Sequence, residues 1–130
     1  MKVTRFHATA DGESRFQEID VPIKEARPVE SGQAILQSNA WASPSIRFLE
    51  LPAGLDQTWH HAPARQIVVV LSGSLEVGTS DNQKRRRSAG QAFIADDLTG
   101  KGHVTRVVDG PARVMFVQLP EGFDFDRWSP

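Results

Sequence analysis

Residues 54–73 read GLDQTWHHAPARQIVVVLSG, and their pattern decides the fold. Gln66–Leu71 is β-branched and apolar on both alternating faces, which predicts a strand covered on both sides. Ser72-Gly73-Ser74 predicts a reversal, because glycine takes positive φ at little steric cost, with Leu75–Val77 completing a hairpin. His60 and His61 lie just upstream, at one mouth of whatever that strand helps to enclose.

Moving outward from this stretch, short alternating segments recur. Residues 2–8 and 16–21 predict strands, the second ending at Pro22. Residues 24–33 are polar and broken by Pro28 and Gly32, which predicts a loop. Residues 34–37 predict a short strand, 39–44 an irregular segment holding Trp41, and 45–51 another strand stopped by Pro52. Downstream, residues 92–95, 103–108 and 113–119 predict strands, separated by a glycine-bearing loop at 96–102 and a turn at 109–111. The tail from 120 carries Phe123, Phe125 and Trp128, with room for a helical turn. No window sustains helical periodicity over three turns free of Gly or Pro. The expectation is an all-β, antiparallel double-stranded β-helix, a barrel of jelly-roll type.

Composition narrows the function classes. At 130 residues the length suits a single domain, 1–130, that buries about two-thirds of its unfolded surface. Fifteen basic against sixteen acidic residues leave a net charge of −1, with no global pull toward nucleic acid or anionic membrane. Cysteine is absent, which excludes disulfides, thiolate metal sites and Cys nucleophiles. The opening MKVTRFH lacks the apolar core of a signal peptide, and a cytoplasmic location is expected. Lys84–Arg87 is the one charge run, and without interleaved aromatics it reads as a solvated strand edge.

Gly54, His60, Gln66 and Gly73 fall at spacings that resemble the first motif of the cupin family, and the block Gly90–His103 resembles its second motif. The resemblance covers roughly residues 34–119, leaving strands in 1–33 and the tail 120–130 to pack on the barrel. It implies a jelly-roll whose histidines bind a divalent metal, Fe, Mn, Ni, Zn or Cu, beside a pocket for a small organic molecule. Carried over, the metal ligands are His60, His103, Gln66 in the place of the family's glutamate, and His61. His61 follows His60 directly where the family has His-x-His, so both can ligate only if a bulge intervenes. Gln66 exchanges an anionic ligand for a weaker neutral one.

Asp96 and Asp97 precede His103 and suit either an orienting carboxylate or ordinary turn chemistry, the latter favoured by turn preference. Arg47 and Arg65 are candidates to pin a substrate carboxylate, with Arg65 expected to face away from Gln66. Trp41, Trp59 and Phe93 could wall the pocket or fill it. Three functions remain open at this point: a metal-dependent enzyme such as a dioxygenase or isomerase, a metal-free binder of a small ligand, and a module with a side-chain-filled pocket. A homodimer is expected, because the second apolar face of residues 66–71 needs cover.

Overall fold

The structure is a computed structural model that describes residues 1–125. Ten strands follow one another: β1 (Lys2–Ala8), β2 (Ser14–Asp20), β3 (Glu25–Pro28), β4 (Ala34–Gln37), β5 (Ile46–Leu51), β6 (Asp56–His60), β7 (Gln66–Gly78), β8 (Lys84–Ser88), β9 (Ala92–Asp96) and β10 (His103–Gln118). The fold is all-β, and among the described residues no helix is long and apolar enough to cross a membrane.

Two long, bent strands organise everything else. The first half of β7 pairs with β9, and the second half with β8. Likewise β10 pairs with β6 through its first residues and with β5 through its last. One layer therefore runs β2-β1-β9-β7-β10-β5, and past the bends a smaller layer runs β8-β7-β10-β6. All pairings are antiparallel except β1 with β9. This is a jelly-roll arrangement, in which strands that switch sheets make the corners.

Gly73 does not reverse the chain, as its neighbours predict, but bends it within β7. Its φ is +75°, and an added Cβ would stand 2.5 Å from the carbonyl oxygen of Asp109. Asp109–Pro111, expected to form a turn, is likewise a bulged stretch inside β10, where the register slips against β7. Both signals were local, and neither stretch reverses the chain; the partner strand makes each a corner instead. Residues 25–28, expected in a loop, form β3, because Pro28 at a strand end gives up no essential ladder bond.

The main core lies between the two layers. Phe6, Val68, Phe93 and Val114 from the larger layer meet Leu75, Val77 and Val107 from the smaller. A second cluster on the outer face of the larger layer joins Val3, Ile19 and Ile94 to Leu119 and Phe123. The tail thus covers one end of that outer face. In residues 66–71 of β7 only alternate residues, Gln66, Val68 and Val70, are buried; Ile67 and Val69 are half-buried and Leu71 is exposed.

The side between β1–β2 and β8 is spanned by side chains. Arg87 donates to the Thr4 hydroxyl and lies 5.4 Å over the Phe93 ring, and Arg85 lies 5.0 Å over Phe16. The basic run is thus an edge strand whose alternate arginines turn inward over aromatic faces.

Candidate functional site

His60 ends β6 and His103 begins β10, and the two are directly paired across the strands. Paired residues share a face, so the rings meet, with centroids 4.2 Å apart. Gly102 permits this closeness: its φ is +79°, and a Cβ there would collide with the His60 backbone. The Phe6 ring packs 4.5 Å from that of His103 on the other side.

Each imidazole is oriented through Nδ1. His60 Nδ1–H donates to the Thr58 carbonyl at 2.6 Å, and His103 Nδ1–H to Asp97 Oδ2 at 2.5 Å. A proton held on Nδ1 leaves Nε2 with its lone pair, the arrangement in which imidazole ligates metals or accepts a hydrogen bond. Burial, foremost, and then the neighbouring His103 lower the pKa of His60 below the usual histidine value, against the raising effect of the Thr58 carbonyl. His60 is accordingly neutral at pH 7.

Asp97 is fully buried, and its other oxygen accepts the Ala62 N–H at 3.2 Å. It is therefore the orienting carboxylate, the reading that turn preference alone placed second. Asp96 points the other way, accepting from Arg5 Nε at 2.8 Å and Arg65 Nε at 2.7 Å. Arg65 is thus turned from the pocket, as expected, and is engaged in holding the tail through the Phe123 carbonyl.

The histidines line a cavity of about 320 Å³ between the layers. Gln66, buried at the start of β7, is in the same wall, and its carboxamide makes no hydrogen bond to another described side chain. Gln57 and Thr105 add polar groups; Phe6, Leu49, Leu51, Leu75, Phe93 and Phe116 supply much of the apolar lining. Among the described residues, no Asp, Glu, Lys or Arg lines the cavity. His61 reaches the rim, but its Nε2–H is committed to the Gly100 carbonyl. Of the three aromatics singled out, only Phe93 faces inward: Trp41 packs on Phe123, and Trp59 is 49 % exposed. Trp59 precedes His60 in a strand, so the two must take opposite faces.

The neutral donors are two imidazole nitrogens and one amide oxygen. Donors of this kind are weak ligands for a borderline divalent ion. Among the described residues, no three His, Cys, Asp or Glu side chains converge to hold an ion.

Bent strands shared between two layers, with paired histidines and a glutamine on the cavity wall at the motif positions, settle the type of fold. The domain is cupin-like.

No protein-family model matches the sequence. No curated protein matches it either. Among solved structures, the cupin-like chain is similar to KdgF from Halomonas sp., at 28 % identity over 75 % of this chain and 88 % of that one, with a TM-score of 0.47. It is similar to a conserved protein of unknown function from Streptococcus pyogenes, at 26 % identity and a TM-score of 0.46. That match covers 59 % of this chain and spans 65 % of the other's length. The Schizosaccharomyces pombe Cnp3 cupin domain matches over 92 % of this chain and 88 % of its own, at 16 % identity and a TM-score of 0.46.

Proposed function

We propose that this protein binds a small, largely apolar, uncharged organic molecule in the cavity, with a divalent ion held weakly at His60 and His103. The observation that carries the reading is the pair of Nδ1-anchored imidazoles side by side in an otherwise apolar wall. A cavity of about 320 Å³ suits a molecule of one or two rings, about twice the room that holds benzene in an engineered cavity. Among the described residues no lysine or arginine lines the cavity, so Arg47 and Arg65 have no part in recognition. An ion there would supply Lewis acidity or oxygen chemistry of the dioxygenase or isomerase kind. Gln66 would offer its amide oxygen. The molecule would work in a reducing, cytoplasmic setting.

A second reading is a binder without metal, favoured by the neutral Gln66 where a carboxylate would strengthen the site. In it, Gln66 and the two Nε2 atoms hydrogen-bond the polar end of the ligand. The open cavity, with Trp41 and Trp59 outside it, disfavours a pocket filled by its own side chains.

Calorimetric titration of untagged protein with Zn²⁺ and Mn²⁺ separates the two. Metal binding is expected, lost in His103→Ala and tightened in Gln66→Glu, because an anionic oxygen is the better ligand. If Gln66→Glu merely loses stability, unrelieved by any divalent ion, the wall is a metal-free binding surface and the metal reading fails.

A further inference from the structure

β6 and β10 pair His60 with His103 and Gln57 with Thr105. Between these two pairs β10 has one residue, Val104, and β6 has two, Thr58 and Trp59. The extra residue is a β-bulge, and it decides where Gln57 points. In a regular strand, residues three apart take opposite faces, so with His60 turned inward Gln57 would face solvent. With the bulge, both line the cavity. The same bulge supplies the Thr58 carbonyl that holds His60 Nδ1 at 2.6 Å.

The cavity therefore has two polar anchor points, one pleat of β10 apart, roughly 6.5 Å. The first is the histidine pair, with Gln66 reaching the same cavity from β7. The second is the Gln57 carboxamide beside the Thr105 hydroxyl. Among the described residues, no hydrogen-bond partner meets the side chain of Gln57, Gln66 or Thr105. Gln66 is only 7 % exposed, and a carboxamide so buried is costly unless a bound molecule or water satisfies it. Carboxamides and hydroxyls both donate and accept, so they suit a neutral group that does the same. An anion would lose its hydration there without meeting a lysine or arginine.

We propose that the cavity selects a neutral six-membered ring with hydrogen-bonding groups on opposite carbons, and that Gln57 with Thr105 determines this choice. The inference rests on the small-molecule reading above and needs no metal. One group meets the histidines and Gln66. The other, a hydroxyl, donates to Gln57 Oε1 and accepts from the Thr105 hydroxyl, while the apolar lining covers the ring.

Titration of the full chain followed by backbone-amide NMR tests it, with phenol, p-hydroxybenzyl alcohol and p-hydroxybenzoate as probes. The alcohol, with its second hydroxyl, is expected to bind ~10-fold or more tighter than phenol, and the benzoate weakest. Gln57→Leu and Thr105→Val should each cut the alcohol-to-phenol ratio of affinities by ~3-fold or more, and the double variant should bring it close to one. Variants that weaken both probes and leave the ratio intact would show a merely structural role and overturn the assignment. Equal binding of phenol and the alcohol by the wild type would overturn the selectivity while leaving the cavity a binding site. Benzoate binding as tight as the alcohol's would overturn the preference for a neutral molecule. Failure of all three probes at millimolar concentration would mean that water satisfies these groups, which overturns this inference together with the reading it rests on.

Discussion

His103 takes its role from residues around it. Asp97 holds its Nδ1, Phe6 flanks its ring, and Gly102 lets β10 approach His60 closely enough for the two imidazoles to touch. Asp97→Asn keeps an acceptor oxygen but removes the charge that makes the imidazole a strong donor of its lone pair. Zinc binding measured by calorimetry is expected to weaken by ~10–100-fold while the fold survives; unchanged affinity would reduce Asp97 to a structural tie between β9 and Ala62. The cupin resemblance brought His60, Gln66 and His103 forward as candidates, and all three line the cavity. For Asp97 the orienting role was only the second choice, since aspartate before a glycine-bearing loop is normally occupied with nearby amides. Gln57, Thr105 and the aromatic Phe116 also escaped notice, because only a cross-strand register assigns them to the cavity side.

Between β7, β8 and β10, Glu76 ties three strands together. It accepts from Arg86 Nε at 2.8 Å and Arg106 Nη2 at 3.1 Å, and Arg86 foremost holds its pKa below the ordinary 4.5. A carboxylate with a depressed folded-state pKa adds stability that is complete above its unfolded value and is lost as pH falls through the folded one. Glu76→Gln should therefore cost ~1 kcal/mol near neutrality, discounted for its exposed partners, and should flatten the acid limb of a urea-monitored stability profile below pH 4.5. At the corner of β7, Gly73→Ala combines a strained positive φ with a backbone collision, and a loss of about 2 kcal/mol or more in the same assay is expected. The sequence announced a special conformation at Gly73 without saying which. A hairpin and a strand that changes sheets ask the same thing of one residue, and they differ only in what lies tens of residues away.

For the molecule as a whole, the alternation of short strands was enough to predict the all-β class, and circular dichroism should show strand with little helix. The order of strands was less accessible, for β1 reaches past seven elements to pair in parallel with β9. Few of the pairings are hairpins, so stopped-flow refolding is expected in the millisecond-to-second range of non-local β folds rather than in microseconds. The β1–β9 ladder has a further consequence during synthesis. Thr4 meets Phe93 and His7 meets Asp96, so the first strand has no partner on that edge until almost ninety more residues have been made. At ribosomal rates of ~5–20 residues per second that wait is roughly 5–20 s. Through it, Phe6 has only Phe16 of β2 for cover, which leaves β1 open to aggregation long after its own hairpin has formed.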